Sequence, residues 1–141
     1  MRIRELTVDD TADALSLYSD LTFGPPCDDG AAFRRVLSHP GTCVVGAEDA
    51  ERIIGMVTLH LLPNVTWGAR PYALIENVVT ATAYRGKGVG RLVMQGAIDR
   101  AWAAEAYKIM LLTGQKRGAR GFYEAMGFGA EDKTGMVLRR G

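Results

Sequence analysis

The sequence predicts an α/β fold built on a mixed sheet, and three observations carry that prediction. Residues 42–47, 52–62 and 72–80 are runs rich in β-branched and apolar residues, bounded by turn formers. Between the last of these and a further run at 108–113, apolar residues recur at helical spacing, which makes a β-α-β unit. The chain has 141 residues, about one domain against ~100–200 residues per domain, and is expected to form a single domain over 1–141. Hydrophobic residues are 48% and charged residues 23%, so a core is available and a disordered chain is excluded.

The elements follow in order. Residues 3–6 form a first short strand. Thr7 is placed as a helix N-cap with Asp10 three residues on, and Val8, Ala12, Leu15, Tyr18 and Leu21 recur at helical spacing until Gly24, Pro25 and Pro26 break the helix. Asp28 opens a second helix carrying Phe33, Val36 and Leu37, which His39, Pro40 and Gly41 end. The runs 42–47 and 52–62 flank a polar turn and read as an antiparallel hairpin. Residues 63–71 form a loop with a proline at each end, and 72–80 (YALIENVVT) a strong strand. A helix from near Gly88 to about Glu105 buries Val89, Val93, Ala97 and Ala101, with Leu92 beside them. A strand at 108–113, a short helix at 118–126 stopped by Gly127, and a final strand at 136–139 complete the chain. The hairpin strands should be antiparallel. The β-α-β section should be a right-handed parallel crossover, with helices on the sheet.

Seventeen Lys and Arg against sixteen Asp and Glu leave a net charge of +1, so no global field draws the protein to nucleic acid or an anionic membrane. An anionic partner must be held by a local device. Cys27 and Cys43 form no CxxC pattern, which argues for no metal site and suits a reducing, cytoplasmic setting. The N-terminus is charged at once, without a signal-peptide hydrophobic region, and apolar runs are too short to span a membrane. Glycine is over-represented, at seventeen residues.

The local anion device is the segment from Thr82 to Leu92, TAYRGKGVGRL, which follows a strand and opens a helix. Glycines let the backbone approach a ligand, the first free amides of the helix point at it, and Arg85, Lys87 and Arg91 surround it with positive charge. A P-loop is excluded because Gly88 follows Lys87. A dinucleotide fingerprint fails because Arg91 stands where the third glycine belongs. The pattern that fits is R-x-x-G-x-G, at Arg85, Gly88 and Gly90. It resembles the pyrophosphate-binding signature of the GCN5-related N-acetyltransferase (GNAT) family. Phe122, Tyr123, Gly127 and Phe128 also match that family's F-Y-x-x-x-G-F pattern, and the order of elements is similar over most of the chain.

The resemblance implies an acetyl-CoA-dependent N-acetyltransferase acting by direct transfer in a ternary complex, with no metal. It implies that the pantetheine arm bonds to the backbone of Val78, Val79 and Thr80, and that the pyrophosphate sits on amides between Arg85 or Gly86 and Arg91, a stretch that includes Lys87, Gly88, Val89 and Gly90. Tyr123 becomes the acid for the departing thiolate, since a phenol stays protonated at neutral pH. Otherwise it is a core aromatic beside Phe122 and Met126. Glu76 interrupts an apolar strand, which is costly unless it faces water, a partner or a cleft. It is the base candidate, with partial burial expected to raise its pKa, and otherwise a paired structural carboxylate. Strand alternation groups Glu76 with Leu74 and Val78, and Asn77 with Ile75 and Val79.

Arg70 and Trp67 lie where an acceptor substrate could approach, His60 is a further candidate to line the cleft or else a structural strand residue, and His39 is a turn residue. Arg117 and Arg120 flank the last helix start, within reach of cofactor phosphates. Relatives often carry Asn nearby, but here the run is Gln115, Lys116, Arg117, Gly118. Residues 107–111 with the F-Y motif are also similar to glucosamine-phosphate N-acetyltransferases. The acceptor is expected to be a small-molecule amine, its pocket built from residues 22–38 and 60–71. The alternatives are a protein amine as acceptor, or a catalytically silent acyl-CoA-binding sensor. Many family members are homodimers, and an edge strand near the C-terminus could pair.

Overall fold

The computed structural model describes residues 1–141 apart from the side chain of Arg117. The chain divides into two compact units, Met1–Met110 and Leu111–Gly141. The first unit is a five-stranded sheet in the order β1-β2-β3-β4-β5, with β1 Arg2–Glu5, β2 Thr42–Asp49, β3 Arg52–Leu62, β4 Tyr72–Thr80 and β5 Ile109–Met110. The first three pairings are antiparallel and the last is parallel, as the β-α-β pattern requires.

A 3-10 turn at Val8–Asp10 leads into α1, Thr11–Leu21. Its capping box is complete: Thr7 Oγ1 accepts from the Asp9 amide and Asp10 accepts from the Thr7 amide. Helix α2, Gly30–Ser38, is capped by Asp29 rather than Asp28, its carboxylate accepting from the Ala31 and Ala32 amides at 2.9 and 3.1 Å. The hairpin turn is shorter than expected, because pairing continues to Asp49 and Arg52 and leaves only Ala50 and Glu51, both at positive φ, as the two-residue loop. The loop after β3 contains a single turn, α3 Thr66–Ala69, with Trp67, Gly68 and Ala69 at positive φ. Helix α4 runs from Val89 to Ala103 with Gly88 as its cap.

Pairing register assigns the two sheet faces. Val44, Met56 and Val79 pack with Leu6, Ala14, Leu17 and Phe33 under α1 and α2. The opposite face, with Val45, Ala47 and Gly55, lies under α4. Helices therefore cover both faces. Two glycines let α4 come close: a Cβ on Gly55 would stand 2.6 Å from Val89 Cγ1 and 3.3 Å from the Val79 carbonyl, and one on Gly96 would stand 2.8 Å from Ile3. The stripe Val89, Val93, Ala97 and Ala101 is buried, joined by Met94 and Gly96. Leu92 is 43% exposed instead. At 100° per residue it falls about 120° from the stripe's centre.

Two further expectations are corrected. The strand at 108–113 shrinks to the two residues of β5. Residues 136–139 form no strand; Met136 and Leu138 are exposed, and a strand without a ladder partner has nothing to hold it. In the second unit, α5 is Arg120–Ala125, and Gly127 follows it at φ 97° as the helix-stop residue.

One ion cluster ties the start of the chain to the sheet. Arg4 donates to both carboxylate oxygens of Asp10, at 2.8 and 2.9 Å, and to Glu48 at 2.6 Å. The Arg4 guanidinium holds the Asp10 carboxyl below its ordinary range. A depressed folded-state pKa contributes stability that is present above the unfolded value and is lost as pH falls through the folded one. Thermal midpoints measured across about pH 5 to 2 should therefore fall less steeply for Arg4→Met than for the parent, from a lower starting value. Gly55→Ala should lower the urea midpoint by an amount equivalent to about 1–3 kcal/mol, the usual cost of overpacking.

Candidate functional site

Strand β4 and the loop after it build the site. β3 pairs with β4 along nearly its whole length, from Leu62↔Tyr72 to Gly55↔Thr80. β5 pairs with it only at Ala73 and Leu74, helped by the Ala73 amide bonding the Lys108 carbonyl at 3.0 Å. From Ile75 to Thr80, the β5-facing edge of β4 has no strand partner among the described residues. Backbone groups along such an edge need another partner. Val78, Val79 and Thr80 lie on this open stretch.

A bulge reshapes the same stretch. Thr58 pairs with Glu76 and Met56 with Val79, so β4 spends one more residue than β3 between these points. Asn77, at φ 53°, takes up the extra residue. Register then puts Glu76 on one face with Leu74 and Val79, not with Val78 as plain alternation predicts. Glu76 is exposed, so the partial burial expected of its carboxylate is absent.

On this face the partner of Glu76 across the ladder, Thr58, is 3% exposed, and its hydroxyl makes no hydrogen bond among the described residues. Burial pushes the Tyr18 phenol up and the Thr58 hydroxyl offsets part of that rise, but the two groups lack hydrogen-bond geometry. Sequence reasoning missed this pair, because Tyr18 falls on the helix's apolar spacing and Thr58 inside an apolar strand. His60 is two residues from Thr58 on the same face, with Nδ1 2.8 Å from Thr42 Oγ1.

After β4, a 3-10 turn at Thr82–Tyr84 delivers the glycine loop. Gly86 and Gly88 have φ of 74° and 83°, a left-handed conformation that disfavours side chains. The first helical amide with a backbone partner is Leu92, bonded to Gly88 at 3.1 Å. Among the described residues, the amides of Gly86, Lys87, Gly88, Val89, Gly90 and Arg91 have no protein acceptor. They form a run of unpaired donors at the positive end of a 15-residue helix. Val89 is buried against Gly55, which fixes the helix start, while Arg85, Lys87 and Arg91 are exposed. Arg85 Nε bonds the Thr80 carbonyl at 3.3 Å, and Lys87 Nζ lies 5.3 Å from the Tyr84 ring centre. The chemistry available is capture of a phosphate-type anion beside an open strand edge that an extended, amide-bearing chain could line.

Two of the remaining candidates, both in the first unit, stand apart from this point. Trp67 and Arg70 precede β4, whereas the glycine loop follows it, so the length of the strand parts them. Trp67 is 71% exposed and stacks on Tyr107 with ring centres 5.6 Å apart. Arg70 Nε bonds the Glu105 carbonyl at 3.0 Å, an anchor to the end of α4. In the second unit, Tyr123 is half-buried on α5, edge-on to Phe122 at 5.1 Å and to Phe128 at 6.1 Å. Arg120 is engaged by Glu124 and Glu131, each at 2.8 Å, and the Arg117 side chain lies outside the described residues. A surface groove of about 520 Å³ is lined by Val8, Ala31, Arg34, Arg35, Leu37 and Ser38, the last five within the 22–38 stretch expected to help build the acceptor pocket, and by none of the individually named site candidates. Among the described residues no group of three or more His, Cys, Asp or Glu is placed to hold a metal ion, and no helix is long and apolar enough to cross a membrane.

Comparison with known proteins agrees with this geometry. The chain is 29% identical over 137 residues to a glucosamine 6-phosphate N-acetyltransferase of Trypanosoma brucei brucei, covering 94% of this chain and 92% of that protein. An acetyltransferase candidate from Agrobacterium tumefaciens str. C58 superposes with a TM-score of 0.93 at 39% identity, covering 99% of this chain and 100% of the other. A transcriptional regulator from Bacillus halodurans C-125 superposes with a TM-score of 0.87 at 28% identity, covering 99% of each. The model of the acetyltransferase (GNAT) family matches residues 3–128, nearly the whole chain, so an α/β sheet with an open strand edge and an amide-lined loop is here the fold of a member of the GNAT acetyltransferase family.

Proposed function

We propose that this GNAT family member transfers an acetyl group from acetyl-CoA to the primary amine of a small molecule, directly, with both substrates bound. The observation that carries the reading is the run of six amides without a protein acceptor, from Gly86 to Arg91, at the head of α4 and next to the unpaired edge of β4. Those amides suit a pyrophosphate, with Arg85, Lys87 and Arg91 around it. The backbone of Val78, Val79 and Thr80 suits the amide-bearing pantetheine arm.

Acetyl-CoA when bound would supply the activated acyl group. The chain's residues have three tasks. The acceptor amine must lose a proton before its nitrogen is nucleophilic, and Glu76, exposed on β4, is the group assigned to take it, directly or through water. The departing sulfur needs a proton, and the Tyr123 phenol is assigned to give it, on its place in the F-Y-x-x-x-G-F motif and the acidity of a phenol. The acceptor must be held, and Trp67 and Arg70 are assigned to that surface. The similarity to a glucosamine 6-phosphate N-acetyltransferase makes a phosphorylated amino sugar the first acceptor to try. Resemblance to a transcriptional regulator favours a second reading, an acyl-CoA sensor without turnover.

Thiol release from acetyl-CoA with an amine panel that includes glucosamine 6-phosphate separates the two: release with at least one amine supports the enzyme, and CoA binding by calorimetry without any release supports the sensor. In the enzyme, Glu76→Gln should lower kcat by roughly 10²–10⁴-fold with CoA affinity retained. Tyr123→Phe should lower kcat more than it lowers CoA affinity, and unchanged turnover would remove Tyr123 from the acid role. Gly88→Ala should act oppositely. It strains a left-handed residue by roughly 1–2 kcal/mol and turns the amides, so calorimetric CoA affinity should fall with the Gly88 geometry.

A further inference from the structure

Two histidines, His39 and His60, meet at one hydroxyl on the sheet face that carries Glu76. Register places Thr42, His60 and Leu74 side by side across β2, β3 and β4, and Glu76 two residues on from Leu74. Diagonal neighbours across an antiparallel pair are ~7–8 Å apart, within reach of long side chains or one bridging water. The turn from His39 to Thr42, closed by the Thr42 amide on the His39 carbonyl at 3.0 Å, brings His39 to the same point. Thr42 Oγ1 is 2.9 Å from His39 Nδ1 and 2.8 Å from His60 Nδ1.

Thr42 has one hydroxyl proton. Its oxygen has two lone pairs, so at most one neutral imidazole accepts that proton at Nδ1, and a ring that does not accept it must donate its own Nδ1–H to the Thr42 oxygen. His39 is exposed, and a neutral imidazole in water favours the proton on Nε2, which leaves Nδ1 as acceptor. Thr42 then donates to His39, and its oxygen accepts from His60 Nδ1–H. That order fixes His60, half-buried, with its Nε2 lone pair free.

We infer that His60 relays the acceptor's proton from Glu76 to solvent, and that Thr42 and His39 are positioning residues that hold it in the receptive tautomer. This rests on the reading of Glu76 as the base. An amine that arrives as an ammonium carries one proton more than the transfer consumes. Glu76 takes that proton, passes it to His60 Nε2 and returns to a carboxylate. His60 becomes an imidazolium that keeps its Nδ1–H on Thr42 and releases the Nε2 proton to water. The second N–H proton, lost as the N–C bond forms and the C–S bond breaks, balances the one taken by the departing sulfur. Register sets Glu76 and Tyr72 of β4 diagonally to either side of the His60–Leu74 pair, the Tyr72 ring carrying Lys108 Nζ at 5.7 Å; of the helices over this face, α1 brings Tyr18 to Thr58, and the arginines of α2, Arg34 and Arg35, are exposed.

The test uses the full chain with whichever amine it acetylates. His60→Gln should lower kcat roughly tenfold with both KM values held, less than the ~10²–10⁴ of a directly acting base because water keeps a slower route, and free imidazole in the buffer should restore the rate. Nitrogen-15 spectra of histidine-labelled protein should show neutral His60 protonated on Nδ1. Thr42→Val should mix the tautomers and slow turnover, and Thr42→Ser should restore both. A His60→Gln enzyme with the parent's kcat and pH profile, or a parent His60 protonated on Nε2, overturns the relay while leaving acetyl transfer standing. A parent that acetylates no amine sinks the proposed function itself.

Discussion

The structure depends on a shortage of hydrogen-bond partners along one strand. β4 is saturated by β3 on one side, but β5 meets it over only two residues. An unpaired strand edge invites another chain to add to it, and proteins usually blunt or cover such edges. Here the open stretch, Ile75 to Thr80, is followed after one 3-10 turn by the glycine loop, so two sets of unpaired backbone groups stand in sequence between the middle of the sheet and the head of α4. A ligand with an extended, amide-bearing arm and an anionic end suits both sets. A compact anion would use only the second.

Keeping those groups in place is the work of the two helical layers. α1 and α2 seal one face over Leu6, Leu17, Phe33, Val44, Met56 and Val79. α4 seals the other, drawn down by the absence of side chains at Gly55 and Gly96. Val89 is the joint: its side chain is buried over Gly55 while its amide belongs to the open donor set. The fold thus fixes the helix start through packing and leaves its dipole end free for chemistry. The bulge at Asn77 works in the same region: Glu76 keeps the face of Leu74, beside Thr58 and His60, and past the bulge Val79 rather than Val78 joins it.

How much of this was legible in the sequence follows from the range of each signal. β4 is observed over the predicted residues, and α4 within one or two residues of its predicted start and end, because nine β-rich residues and fifteen helical ones are long local patterns. The glycine loop was legible because its residue types act where they stand. The larger misses are non-local. Residues 136–139 have strand composition but no ladder, and β5 stops where its ladder with β4 stops. The bulge depends on β3 running one residue short against β4, which no pattern within β4 reports. The contact of His39, Thr42 and His60 depends on the β2–β3 register, so His39 alone reads as a turn residue and His60 as a cleft-lining or structural strand residue, with nothing to join them.

Near-neutrality then takes on a physical meaning. A chain of net charge +1 does not attract anions from a distance, and the cations of the loop are themselves partly engaged, Arg85 with the Thr80 carbonyl and Lys87 with the Tyr84 ring. Beside these cations stands a set of neutral amide dipoles, strong at contact and weak beyond it. Such a device selects by contact: it rewards an anion that reaches the amides of Gly86 to Arg91 and ignores one that merely passes. The arm that delivers the anion must also satisfy the open edge of β4, so the two partial sites reinforce each other only for a ligand long enough to use both. On the proposed function, length and backbone complementarity, beside the local cations, would then set which acyl carrier the fold accepts.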